Sequence, residues 1–278
     1  MKLTVLVENT PCACAEGVHG LSLWLESGGK HILFDAGPDG AVLLRNAAAL
    51  RLRLADADFA VLSHAHYDHA GGLETFAGEN PDAPLYLRPA ALFENHFAGE
   101  AGGLRKIGDL TALRTAFAGR LVLTPERLEL DENLTLFSNV EMRRLVSGAA
   151  AAFTVRNPDG TDPAPDDFRH EQNLLIREGE KLILVCGCAH CGIANILDAA
   201  EQIAGKTPDA VIGGFHLTNP GKKIDEPESL VRAVGEELAA RNTVYYTGHC
   251  TGAGPFAILK EILGDRLFAL HAGFSAEV

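Results

Sequence analysis

Residues 63–72 read Ser-His-Ala-His-Tyr-Asp-His-Ala-Gly-Gly and place His64, His66, Asp68 and His69 within six positions. The run Asp58-Phe-Ala-Val-Leu-Ser63 just before them is apolar and has the length of a buried strand. Side chains two apart on an extended chain point the same way, so His64 and His66 face one ion from the strand end. Asp68 and His69 lie beyond that end, where the chain turns, and face a second position. Imidazole and carboxylate together suit zinc, iron, manganese and similar ions. Gly71-Gly72 permits a tight turn into the next element.

Four ligands split over two positions close neither, because a site needs three or more protein ligands. The rest must come from other strand ends. His190 sits in Val185-Cys-Gly-Cys-Ala-His-Cys-Gly192 and His249 in Tyr246-Thr-Gly-His-Cys-Thr-Gly252. Each follows an apolar strand and is flanked by glycines that allow close packing around an ion. His216, in Gly213-Gly-Phe-His-Leu217, is read as a proton donor or substrate contact, with ligation as the alternative. His19 can reach the same edge or serve the fold. Asp35, ending Ile32-Leu-Phe-Asp, is placed behind the ligands, accepting the second N–H of a ligand imidazole. His31, His96, His170 and His271 lack this setting and are left outside the site.

The elements that must position these residues follow from periodicity. Residues 2–8 read as a first strand, and 21–26 and 31–35 as a hairpin around Ser27-Gly-Gly-Lys30. A helix is expected over about 39–54, a short strand at 84–88 and a helix at 109–118. The stretch 139–172 has a weak pattern and a turn-rich acidic run at 157–167. It is either a connector or a lid over the site, with connector the preferred reading. Thereafter strands at 174–177, 181–186, 210–213, 244–246 and 267–270 alternate with helices at 192–204, 227–240 and 255–263. The halves echo each other: Lys30-His-Ile-Leu-Phe-Asp and Lys181-Leu-Ile-Leu-Val-Cys each precede a helix and an apolar strand ending in histidine, His64 and His216.

Composition narrows the function classes. With 278 residues the chain has ample length for a core, and it is read as a single domain over 1–278. A net charge of −13 argues against non-specific nucleic-acid binding. No stretch reaches membrane-spanning length, and the short apolar run after Met1-Lys2 reads as a strand rather than a signal peptide. Cytoplasmic location is expected, with a small molecule as the partner and no nucleic acid or membrane. The oligomeric state is not legible. The six cysteines read as thiols. The pairs Cys12-x-Cys14 and Cys186-x-Cys188 match no repeated metal spacing, and buried thiols are the preferred reading over a separate zinc or iron–sulfur site.

The His-x-His-x-Asp-His run resembles the signature of the metallo-β-lactamase superfamily. The ordered set Gly20-Leu-Ser-Leu-Trp-Leu-Glu26, Ile32-Leu-Phe-Asp-Ala-Gly37, 62–73, Gly187-Cys-Ala-His-Cys-Gly-Ile-Ala-Asn-Ile196, Gly213-Gly-Phe-His-Leu217 and Gly248-His-Cys-Thr-Gly252 is similar to one branch of it. That branch carries the label 7,8-dihydropterin-6-yl-methyl-4-(β-D-ribofuranosyl)aminobenzene 5′-phosphate synthase-like. The resemblance covers at least residues 20–252. It implies an α/β fold, a four-layer αββα sandwich of two mixed sheets with a metal centre at one edge. It also implies one or two divalent ions, zinc foremost, manganese or iron otherwise. Dinuclear members of the superfamily usually bridge their ions with an Asp after a Gly at a strand end. The matching place here is Gly187-Cys188, so either Cys188 ligates or the bridge is missing.

The expected reaction is hydrolysis of a small phosphoester or phosphodiester by metal-bound hydroxide, with Asp68 and His216 as the catalytic pair. Lactone or thioester hydrolysis uses the same motif. A synthase joining an aryl amine to a phosphoribosyl donor is the alternative that the branch label suggests. A non-catalytic metal-dependent binder and an iron oxidoreductase are less consistent with the intact His/Asp set.

Overall fold

The computed structural model describes residues 1–100, 103–156, 163–219 and 224–278. Its body is two seven-stranded sheets packed face to face. In the first, the strands run Ser275–Glu277, Lys2–Val7, Ser22–Ser27, Lys30–Phe34, Phe59–Val61, Leu85–Leu87 and Leu121–Leu123. In the second they run Arg127–Glu129, Leu134–Ser138, Gln172–Glu178, Lys181–Val185, Ala210–Gly213, Val244–Thr247 and Leu267–Ala269. Written this way, both sheets show three antiparallel pairings followed by three parallel ones. The echo between the halves is therefore a repeated topology, with Lys30–Phe34 and Lys181–Val185 in equivalent places.

The layers follow from alternation along the strands. Ile32 and Phe34 face the other sheet and meet Ile183, Val185 and Ile212 there. Leu33, one residue off in register, joins Val42, Leu43, Leu73 and Phe76 on the helical side of the first sheet. Leu182 and Leu184 do the same in the second, against Ile196, Leu197, Val231, Leu238 and Leu259. Three cores separate four layers, which makes the fold the αββα sandwich.

Several element readings change. The helix at 39–54 is Gly40–Ala49, capped by the Asp39 side chain accepting from Val42 N–H, and the chain then leaves the helix before Leu54. The helix at 109–118 shrinks to Leu113–Ala116, because Asp109 caps a turn with Thr111 instead. A third sheet was not expected at all. It joins Ala164–Pro165, Phe153–Arg156, Asn95–Glu100 and Gly103–Gly108. Thus 139–172 is no mere connector, since it supplies two strands of this extra sheet. The part of its turn-rich run at 157–162 lies outside the described residues.

Candidate metal centre

The site is built where strands of both sheets end. Phe59–Val61 delivers Ser63, His64 and His66, and the short helix Tyr67–Ala70 carries Asp68 and His69. This turn is fixed by its backbone: Leu21 N–H donates to Asp68 O, and Ala36 N–H donates to His69 O. From the second sheet, Lys181–Val185 delivers Cys188 and His190, Ala210–Gly213 delivers His216, and Val244–Thr247 delivers His249. Asp35, Ala189, His216 and His249 all hold left-handed backbone, with φ of 60°, 54°, 47° and 49°. Such strain concentrates where side chains must be aimed at one point.

The hydrogen bonds fix which ring nitrogens are bare. Asp35 is a fully buried carboxylate and only accepts. His69 Nδ1 lies 2.7 Å from Asp35 Oδ2 and therefore donates to it. Ser63 Oγ–H donates to the same oxygen at 2.7 Å, so His64 Nδ1, 2.8 Å from that hydroxyl, must donate to Ser63. Asn9 Oδ1 accepts from Gly20 N–H and from His249 Nδ1 at 2.9 Å. Nε2 is thus the bare nitrogen of His64, His69 and His249.

Those bare nitrogens converge. His69 Nε2 lies 3.2 Å from His249 Nε2, and His64 Nε2 lies 3.3 Å from His190 Nε2. Two lone pairs at that distance repel unless a proton or cation lies between them. Donors bound to one tetrahedral ion at ~2.0–2.1 Å are about 3.3 Å apart, the edge of the tetrahedron. The same edge recurs between Cys188 Sγ and His69 Nε2, at 3.2 Å. His66 Nε2, His190 Nδ1 and both ring nitrogens of His216 are buried without a protein partner. The donor set therefore fits divalent ions. His64, His66 and His190 converge as one group, and Asp68, His249 and His19 as another.

Electrostatics favour the same use. Burial and neighbouring imidazoles push His64, His66 and His190 well below the ordinary histidine range, and burial lowers His249 to about 4. Neutral imidazole is the ligand form. Burial works to raise Asp68, but the His19 hydrogen bond at 3.0 Å and the rings of His69 and His249 hold it well below the usual carboxylate range.

Some supporting residues were not legible. Two buried glutamates clamp the ligand loops by accepting backbone N–H groups. Glu8 takes those of Thr10 and His249, and Glu171 those of His190 and Cys191. Phe168 stacks flat on His190, with centroids 4.6 Å apart. His96 and His170 must also be moved into the site's surroundings. Ala65 N–H donates to His170 Nδ1, and His170 Nε2 donates to Asp166, which also meets His96 Nδ1. They steady the backbone between His64 and His66. His31 and His271 stay outside; His31 packs on Trp24 and His271 on Phe274.

Over the ligands lies a pocket enclosing about 620 Å³ of space open to solvent. His66, Asp68, Cys188, His190, His216 and His249 form its floor. Ala98, Gly99, Arg105, Ile107 and Phe153 of the extra sheet, with Tyr67, form its wall. Arg105 is the only Arg or Lys among the described lining residues, and its guanidinium sits 5.4 Å from the centre of the Tyr67 ring.

Comparison with known proteins agrees with this geometry. Residues 15–194 match the metallo-β-lactamase superfamily model. The 7,8-dihydropterin-6-methyl-4-(beta-D-ribofuranosyl)-aminobenzene-5'-phosphate synthase of Methanocaldococcus jannaschii is 30% identical over 269 residues, spanning 92% of this chain and 88% of the relative. A crystal structure described as a metal-dependent hydrolase of the β-lactamase superfamily superposes with a TM-score of 0.81 at 27% identity, covering 100% of this chain and 99% of that one. Zinc-bound PqqB from Methylobacterium extorquens shares the fold, with a TM-score of 0.57 at 14% identity and 100% coverage of both chains.

The chain belongs to the metallo-β-lactamase superfamily. It is an enzyme of that fold, similar to the synthase-labelled branch, and the fold implies divalent metal at the His/Asp/Cys cluster. Among the described residues no helix is long and apolar enough to cross a membrane.

Proposed function

We propose that the chain hydrolyses a small phosphoester or phosphodiester. The observation that carries this reading is the convergence of His64, His66, Asp68, His190 and His249 on the floor of a pocket otherwise walled largely by apolar and aromatic side chains. His64, His66 and His190 would hold one ion, and Asp68, His69 and His249 a second, with zinc the first choice and manganese or iron the others. Bound divalent ions supply Lewis-acid polarisation of a phosphoryl oxygen and a water acidified towards neutral pH.

The chain's own residues do the rest. Phe153 and Tyr67 offer faces for an apolar or planar leaving group and keep bulk water away. Asp68, held anionic, would orient the attacking water, and the released proton would pass to solvent through the open pocket. His216 faces the pocket with both ring nitrogens unpartnered and donates a proton to the departing oxygen. A small-molecule substrate, not nucleic acid, suits a chain of net charge −13.

A panel of aryl phosphodiesters, phosphomonoesters, lactones and thioesters, assayed with zinc or manganese, tests the reading. Phosphoester turnover that His66→Ala abolishes is expected. Turnover of lactones or thioesters alone, or unchanged activity in His66→Ala, overturns it. The similarity to a relative named as a synthase favours a second reading, formation of a ribofuranosylaminobenzene phosphate-type product. Pyrophosphate release from a phosphoribosyl donor with an aryl amine, without phosphoester hydrolysis, would establish that alternative.

A further inference from the structure

Cys188 occupies the centre of the ligand cluster. Its Sγ lies within ligand-sharing distance of three different pairs: His64 with His69, His190 with His216, and His249 with Cys250. The first ion group supplies His64 and His190, and the second supplies His69 and His249. One sulfur is therefore common to both. A thiol hydrogen bond would need a single acceptor, and His69 Nε2 at 3.2 Å would serve; it does not account for the convergence of the other rings on the same atom.

The backbone is shaped to bring this sulfur in. Gly187 has no side chain where a Cβ would stand 2.2 Å from Ser63 Oγ and 3.0 Å from His64 Nδ1. Gly214 leaves room where a Cβ would stand 2.4 Å from Cys250 Sγ. Cys250 is engaged differently: its thiol donates to Cys188 O at 3.6 Å, and its sulfur accepts from His216 N–H at 3.3 Å.

We infer that Cys188 is a bridging thiolate shared by two ion positions, so that this centre joins its ions through sulfur rather than carboxylate. The inference rests on the reading of the cluster as a metal centre, but not on which reaction it performs. A sulfur bridge biases the site towards zinc, cobalt or iron over manganese and magnesium, since soft thiolate suits the former.

Cobalt(II) titration of the metal-free protein, followed by near-ultraviolet and visible absorption and by elemental analysis, tests it. Wild type should take up two equivalents and develop an intense thiolate-to-cobalt band. Cys188→Ser should lose the band and fall to one equivalent. Cys188→Asp should lose the band yet keep both equivalents, a carboxylate replacing the bridge. Cys250→Ser should keep band and stoichiometry. Circular dichroism identifies a variant that fails to fold; the wild-type band and the Asp variant then decide. Weak cobalt bands of nitrogen and oxygen ligation without the thiolate band, or its loss in Cys250→Ser instead, overturn the bridge. No cobalt uptake overturns the metal reading itself. The band without any phosphoester turnover leaves Cys188 standing and removes only the proposed hydrolysis.

Discussion

Asp35 Oδ2 accepts from His69 Nδ1 directly and from His64 Nδ1 through the Ser63 hydroxyl, so one buried oxygen sets the tautomer of a ligand in each ion group. Asp35→Asn removes that purely accepting oxygen while keeping size, and Asn tolerates the left-handed backbone that Asp35 holds. Metal affinity should fall about 10–100-fold, the usual cost of losing such a partner. Competition against a chromophoric chelator measures it. An affinity equal to wild type would show that Asp35 does not set the ligands.

Gly187→Ala should damage the same point sterically. The added carbon would meet Ser63 Oγ at 2.2 Å, and neither the strand end nor the buried serine has room to yield. Purified Gly187→Ala protein should carry less metal than wild type at equal exposure to zinc, read by elemental analysis. Full occupancy would show that the Ser63 side moves freely.

Phe168 is 1% exposed and stacks on His190. Phe168→Ala should lower stability by about 3–5 kcal/mol, as for other buried aromatic truncations. Urea unfolding followed by tryptophan fluorescence reads the loss. A cost below about 1 kcal/mol would mean that the neighbouring side chains collapse into the gap.

Away from the site, Arg144 and Arg241 hydrogen-bond Glu237 and hold its carboxyl at about 2, below the ordinary 4.5. Between those values the unfolded chain binds more protons than the folded one, so this contribution rises with pH up to about 4.5 and is lost as pH falls towards 2. Glu237 is partly exposed, so the effect is modest. The melting-temperature gap between wild type and Glu237→Gln should be largest above pH 5 and should close towards pH 2. A gap that does not change with pH would refute the ion-pair origin.

The convergence of His64, His66, Asp68 and His69 was legible because they share one strand end, where spacing alone fixes direction. His190 and His249 could be found because their glycines mark tight packing after apolar strands. Glu8, Glu171 and His170 reach backbone far away in sequence, Glu8 residue 249 and His170 residue 65, and nothing local marks them. The extra sheet stayed hidden for a related reason. Asn95–Glu100 and Gly103–Gly108 are short and carry polar and charged residues, and only Asn95–Glu100 pairs with Phe153–Arg156, through tertiary approach.

His64 stands at the end of a strand of one sheet and His190 at the end of a strand of the other, with the remaining proposed ligands divided likewise. An ion held between them is therefore a clasp across the seam of the sandwich. Cohesion of the two halves becomes a function of free metal concentration: each tenfold excess over the dissociation constant adds about 1.4 kcal/mol to the folded state. Cells starved of the ion would lose part of the architecture together with the chemistry.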